Sequence, residues 1–373
     1  MSWETIRLGD FLTLKRGYDL PSSQRESGDI PVVSSSGVTG YHNVAKVEGP
    51  GVVTGRYGTL GEVFFIHEDF WPLNTALYVQ DFKGNDPRFS AYFLKTILTG
   101  TSSDKAAVPG VNRNDLHARK VSVTRDLAQQ KAIAAILSAY DDLIENNRRR
   151  IALLEEAARL LYREWFVHLR FPGHEHVAIK DGVPEGWEAR TLGDLCEEIR
   201  ETIKPEALEP DTPYIGLEHM PRRSISLGEW GTTEQVTSSK HRFHEGDILF
   251  GKIRPYFHKV GITFVEGVAS SDAIVIRPCE HDLRSLVLMT VSSDPFVAFT
   301  AQTMKEGSKM PRADWKQMRA YPTPLPPSGL LDSFDKSIGA IVEQLKTLTL
   351  TNQKLCAARD LLLPRLMNGE IAV

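Results

Sequence analysis

Residues 246–255, GDILFGKIRP, nearly spell a phosphate-binding loop: four residues separate Gly246 from Gly251, and Lys252 follows. In a working loop of this kind, backbone amides cradle the phosphates, the lysine reaches the outer ones, and a Ser or Thr after it holds magnesium where a helix begins. Here Ile253 stands where the hydroxyl belongs, and Asp247 would set a carboxylate among the phosphates. Pro255 biases Arg254 away from helical geometry. The segment therefore reads as a turn, a strand and a basic tip. Other reactive constellations fail on spacing. His174 and His176, and His241 and His244, are close pairs without a third ligand nearby, so they read as loop residues. The three cysteines, Cys196, Cys279 and Cys356, fit neither zinc-ligand spacing nor a disulfide framework, which marks them as small buried hydrophobes. There is no dinucleotide fingerprint, no G-x-S-x-G elbow and no HExxH, and Pro326-Pro327 lacks the neighbours of an amino-methylating Asn/Asp-Pro-Pro-aromatic motif. No cofactor or metal site is expected in this chain.

Local basicity beside aromatic rings remains. Residues 240–259 carry five Lys or Arg against two acids, interleaved with Phe243, Phe250, Tyr256 and Phe257; residues 305–319 carry five against two, with Trp315. The formal net charge is -4, so DNA binding has to come from such patches rather than from overall charge. Lys and Arg at loop tips neutralise phosphates, while Arg, Asn, Gln and Ser read base edges. The candidate contacts are Ser35, Ser36, Arg56, Tyr57, Asn112 and Arg113 near the N-terminus, and Arg222, Arg223, Lys252, Arg254, Tyr256, Lys309 and Arg312 farther on. Arg113 and Arg312, at what read as equivalent repeat positions, serve equally well to tie a loop to its framework.

A chain of 373 residues with 41% hydrophobic composition can hold two domains, and internal repetition gives their form. Trp3-Glu4-Thr5-Ile6-Arg7-Leu8-Gly9-Asp10 matches Trp187-Glu188-Ala189-Arg190-Thr191-Leu192-Gly193-Asp194. Asp29-Ile30-Pro31-Val32 matches Asp211-Thr212-Pro213-Tyr214, and Arg113-Asn114-Asp115-Leu116 matches Arg312-Ala313-Asp314-Trp315. Each copy closes with a heptad stripe: Ile133, Leu137, Tyr140, Ile144, Asn147, Ile151, Leu154, Ala158, Leu161 and Trp165 in one. In the other run Phe334, Ile338, Ile341, Leu345, Leu348, Asn352, Leu355, Arg359, Leu362 and Leu366. Arg359 is a misfit there, and Pro364 should end or kink the second helix near Leu363. Helices of about 35 to 40 residues extend roughly 50 to 60 Å. The fold expected is α+β: two similar mixed α/β domains separated by two long helices packed as an antiparallel coiled coil, in a pseudo-twofold internal repeat. The antiparallel register that sets Asn147 against Asn352 also matches Ile133 with Leu366, Ile144 with Leu355, Leu154 with Leu345, and Trp165 with Phe334. The two Asn either fix that register or sit at its wet edge. The expected boundaries are 1–126 and 187–327 for the domains, 127–170 for the first helix, 171–186 for a linker, and 328–373 for the second helix and tail. MSWETIRLGD lacks a signal-peptide pattern and no stretch is apolar for long enough to span a bilayer, so the expected location is the cytoplasm.

Taken together, these residues resemble the specificity subunit of type I restriction-modification systems. The resemblance lies in the W-E-x-x-x-L-G-D entries, in Phe70-Trp71-Pro72-Leu73-Asn74-Thr75, in GDILFGKIRPYFHK leading to Ser270-Ser271-Asp272, in Gln129-Gln130-Lys131-Ala132-Ile133-Ala134, in Trp165-Phe166-Val167, and in the ending from Leu362 to Ile371. It implies that the two domains are target recognition domains, each reading half of a bipartite site in double-stranded DNA, and that the helices set the spacer. It also implies partners: adenine methyltransferase subunits using S-adenosylmethionine, and restriction/translocase subunits using ATP and magnesium. Two alternatives stay open, a self-contained nuclease or NTPase and a DNA-binding subunit of the same fold in another defence complex.

Overall fold

The computed structural model describes residues 3–56, 61–98, 112–303 and 311–373. They form two compact units, residues 1–144 with 355–373, and residues 145–354. The first unit contains β1 (Trp3–Arg7), α1 (Leu8–Phe11), β2 (Thr13–Arg16), β3 (Ile30–Ser34), β4 (Gly37–His42), β5 (Gly51–Gly55), β6 (Val63–Ile66), β7 (Trp71–Pro72), β8 (Ala76–Asp81), α2 (Pro87–Leu98), α3 (Arg113–Ala118), β9 (Lys120–Thr124) and the start of α4 (Leu127–Tyr162). The second continues with β10 (Ile179–Lys180), β11 (Val183–Pro184), α5 (Leu192–Leu195), β12 (Cys196–Ile199), β13 (Thr202–Ile203), β14 (Tyr214–Ile215), β15 (Ser226–Leu227), β16 (Lys240–Phe243) and β17 (Ile248–Gly251). It ends with β18 (Val260–Thr263), β19 (Gly267–Ala269), β20 (Ala273–Pro278), α6 (Arg284–Val291), α7 (Asp294–Gln302), α8 (Trp315–Met318) and α9 (Ser328–Met367). Residues 355–367 of α9 belong to the first unit.

The repeat is visible in the sheets. The main sheet of the first unit runs β2-β8-β5-β6, and that of the second runs β12-β20-β17-β18-β15. Beside each lies a smaller sheet containing one parallel pair, β3 with β7 and β14 with β19. The central strands β5 (GVVTG) and β17 (ILFG) are buried at every position, as continuous apolar runs covered on both faces require. The W-E-x-x-x-L-G-D entry has a physical cause in both units. Leu8 with Phe11, and Leu192 with Leu195, bury one face of a single helical turn. A Cβ on Gly9 would press against His117 at 3.1 Å, and one on Gly193 against Arg319 at 3.0 Å, so only glycine lets the turn approach the following helix. Asp194 closes a capping box with Thr191, and those hydrogen bonds hold its carboxyl below the usual range.

The third sequence match is in the wrong register. Leu8 N–H bonds the carbonyl of Arg119, and Leu192 N–H bonds that of Tyr321, both at 2.9 Å. Glu4 faces Val123 and Glu188 faces Leu325. Asn112 and Asp314 cap α3 and α8, each accepting a backbone N–H two residues on, and the first buried residue stands four after the cap in both, Leu116 and Met318. Arg113 therefore corresponds to Trp315 and not to Arg312. A shared Arg and Asp drew the alignment three residues aside because the cap, which fixes the helix, is Asn in one copy and Asp in the other.

In each unit α4 and α9 lie antiparallel. Ile133, Leu137, Leu363 and Leu366 share the core of the first, and Ala158, Trp165, Phe334, Ile338 and Leu345 that of the second. The Trp165 and Phe334 rings are 5.6 Å apart. Asn147 Nδ2 donates to Asn352 Oδ1 at 2.9 Å, with Asn147 buried. Arg359 is no misfit: it pairs with Asp141 at 2.6 Å and with Asp360 at 2.8 Å. Burial would lower its pKa, but the hydrogen bonds it donates to the two carboxylates outweigh that and raise it. Pro364 does not end α9, which continues to Met367 because Leu363, Leu366 and Met367 bury the last turns in the core. The first long helix ends at Tyr162 in a five-residue π-turn, Arg163–Val167. Of the cysteines only Cys196 is buried; Cys279 is exposed and Cys356 half-buried. No helix among the described residues is long and apolar enough to cross a membrane.

Candidate nucleic-acid interface

The turn–strand–tip reading of GDILFGKIRP accounts for each of its residues. Gly246, at φ +89°, makes the turn, and Asp247 is buried beneath it in a fork with Arg277 at 2.6 and 2.7 Å. That carboxylate is held by an arginine and by the His244 N–H at 2.8 Å, so it plays no part in a phosphate loop. After Gly251 the chain leaves the sheet. Arg254 and His258 both adopt left-handed backbone, φ +50° and +55°, around a short turn from Pro255 to Phe257. Non-glycine residues held there are strained and persist only when their surroundings fix them. The fixing contacts are Arg254 N–H to the Pro311 carbonyl (3.1 Å), Ala313 N–H to the Lys252 carbonyl (2.8 Å), and Lys252 N–H to the Asp272 carbonyl (2.7 Å).

This tip gathers the second unit's candidates into two groups. In one, Arg222 stacks 4.1 Å above the Phe257 ring, Arg254 lies 5.8 Å from the same ring, and Tyr256 meets it edge-on at 5.1 Å. Arg222, Arg254 and Tyr256 are all exposed. In the other, Lys252 and Arg312 line a cavity of about 460 Å³ with Glu198, Arg200, Trp315 and Gln317. Lys252 Nζ donates to the Ser271 carbonyl at 3.1 Å, and burial pushes its ammonium below the usual lysine value against the pull of Glu198. Arg312 pairs with Asp272 at 3.3 Å. Arg223 is exposed as well and pairs with the exposed Asp294 at 2.9 Å. Lys309 and Tyr57 lie outside the described residues.

The first unit is organised differently. Ser35 and Ser36 form the turn between β3 and β4, and the exposed Ser36 is tied back to Ser34 Oγ by its N–H (3.1 Å) and its hydroxyl (3.0 Å). Arg56 leaves β5 as Lys252 leaves β17, its N–H bonded to the Thr75 carbonyl at 3.1 Å. Asn112 spends its side-chain oxygen on the α3 cap, while Arg113 beside it is exposed. These are three separate segments of chain. Sequence reading missed Arg200, which pairs with Glu198 at 2.6 Å inside the cavity, because it belongs to no basic run. It also missed Val38 and Tyr41, which are 48% and 59% exposed on the edge strand β4. Their signal was apolar residues in a glycine-rich strand, GVTGYH, with nothing to bury them.

Comparison with known proteins bears on both units. The model of the type I restriction modification DNA specificity domain matches residues 1–156 and 184–357. The EcoDI type I restriction enzyme specificity subunit of Escherichia coli is 21% identical over 361 residues, 88% of this chain and 78% of that protein. The MjaIX specificity subunit of Methanocaldococcus jannaschii is 22% identical over 267 residues, and the match spans 66% of this chain but only 59% of that relative's length. In fold, the crystal structure of the type I restriction-modification S subunit from M. genitalium matches with a TM-score of 0.62 at 15% identity, covering 98% of this chain and 96% of that one.

Proposed function

The chain belongs to the type I restriction-modification DNA specificity family, and from that membership we propose that each unit reads one half of a bipartite site in double-stranded DNA. The observation that carries this is the coincidence of two duplications: the family model matches twice, and each match covers one copy of the same strand order. In the second unit Arg222, Arg254 and Tyr256 around Phe257 are the contacts, with Lys252 and Arg312 beside them. In the first, Ser36, Arg56 and Arg113 face the DNA, joined by Val38 and Tyr41. α4 and α9 set the unread spacer, and the Asn147–Asn352 bond fixes their register, as single polar seam positions do.

The chain supplies recognition and its partners supply chemistry. Adenine methyltransferase subunits carrying S-adenosylmethionine flip and methylate one adenine per half-site, and restriction subunits bring ATP and magnesium. Leu153, Leu160 and Val167 follow one another at intervals of seven and are 71%, 40% and 47% exposed, which supports docking of a methyltransferase subunit on that stripe. Co-expression with an adenine methyltransferase subunit of such a system, followed by mapping of methylated adenines on plasmid DNA, tests the proposal. Methylation at one split motif, absent without this chain, is the expected result; no complex and no methylation would count against it.

A further inference from the structure

We propose that Glu155 and Arg159, on α4, are positioning residues for the second half-site: they hold the loop that presents Arg222 to DNA. The inference rests on the reading of Arg222 as a DNA contact. Glu155 is 4% exposed, and a carboxylate so far from water is costly unless it is fully hydrogen-bonded. It is: Oε1 accepts from Ser224 Oγ (2.7 Å), Ile225 N–H (3.1 Å), Ser226 N–H (3.0 Å) and Ser226 Oγ (2.8 Å). Oε2 accepts from Arg159 at 3.2 Å, and Arg159 in turn donates to the Arg223 carbonyl at 2.5 Å.

Two helical side chains thus grip four consecutive residues, 223–226, through the backbone of Arg223, Ile225 and Ser226 and the hydroxyls of Ser224 and Ser226. Arg223, the first of them, has left-handed φ, +58°, and its N–H bonds the His258 carbonyl at 2.9 Å while its side chain pairs with Asp294. Both backbone groups of Arg223 are therefore held. Arg222, immediately before it, is left exposed over Phe257. The place of Arg222 is therefore inherited from a rigid helix rather than from a flexible loop, and a change on that helix alters a contact that the helix itself does not make.

The test uses the full chain in complex with its methyltransferase subunits, binding duplexes that carry the methylation-mapped site intact or scrambled in its second half. Glu155→Gln and Arg159→Ala each weaken binding to the intact site by about tenfold, through Arg222, and leave binding to the duplex scrambled in the second half unchanged. Glu155→Gln combined with Arg222→Ala binds no worse than Arg222→Ala alone, because both remove one contact. Losses that multiply in the double variant, or that appear equally on the scrambled duplex, overturn the inference and leave the DNA-contact reading standing. Arg222→Ala with unchanged binding overturns that reading and the inference with it. Should Glu155→Gln lower the melting temperature substantially, Arg159→Ala combined with Arg222→Ala carries the same comparison.

Discussion

After the equivalent strands β3 and β14 the two units part ways. In the first, the chain turns through Ser35 and Ser36 into the edge strand β4, which exposes Val38 and Tyr41 and carries no lysine or arginine. In the second, the corresponding chain forms a loop bearing Arg222 and Arg223, anchored by Glu155 and laid against Phe257. The main sheets agree in the order of four strands, so the divergence lies beyond that shared framework. One scaffold thus carries an apolar, hydroxyl-rich edge and a cationic, aromatic tip, two chemistries suited to different base edges.

The contrast extends into the core at the start of the central strands. Where the second unit has Asp247 buried against Arg277, the first has Gly51, at which any Cβ would overlap the Phe70 ring. Asp247→Ala leaves Arg277 without its partner, and because that arginine is one-third exposed the loss falls at the low end for a broken buried pair, about 3 kcal/mol, read by denaturant unfolding. An equal loss from Gly51→Ala would show that the same position is critical in both units for different reasons, steric crowding in one and charge pairing in the other.

On DNA, Arg254→Ala weakens recognition of the second half-site by about 2 kcal/mol and leaves discrimination at the first intact. Relaxation at both halves would break the modular comparison. If the lost contact is to phosphate, the slope of log affinity against log salt falls by about 0.9 as well. Tyr41→Ala sharpens the contrast: a loss of about 1 kcal/mol, confined to the first half-site, with the salt slope unchanged because no charge is removed. A change of slope there would mean that the edge strand acts by holding a cation. The smallest effect belongs to the seam. Replacing Asn147 and Asn352 together by leucine raises the melting temperature by a few degrees, equivalent to about 1 kcal/mol, and loosens the required half-site spacing in methylation mapping.

Much of this was legible in the residues themselves. Repetition of W-E-x-x-x-L-G-D gave the two units because Leu and Gly each have a local reason to recur in both, a buried face and a close approach, while the Asp forms a cap only in the second, at Asp194. The heptads gave the helices and their partners, since burial of one stripe on another is a periodic property of sequence. The failed phosphate loop was also readable, from Ile253 and Pro255 alone. Long-range partners were not. Arg359 looked wrong in a seam until Asp141 was found beside it, and Pro364 looked like a stop until the core that buries its neighbours was known. The three-residue error between Arg113 and Arg312 arose because residue identity, not cap geometry, guided the match.

For the candidate contact residues, sequence determined the kind of side chain and tertiary structure decided its surroundings. Arg222 and Arg223 are adjacent, chemically identical and both exposed, yet one lies over Phe257 and the other pairs with Asp294. No local pattern separates them, because the difference is made by Asp294, Glu155 and Arg159, each more than sixty residues away along the chain. An arginine's charge is a property of its own atoms; its freedom to bind is a property of whatever has already taken its hydrogen bonds.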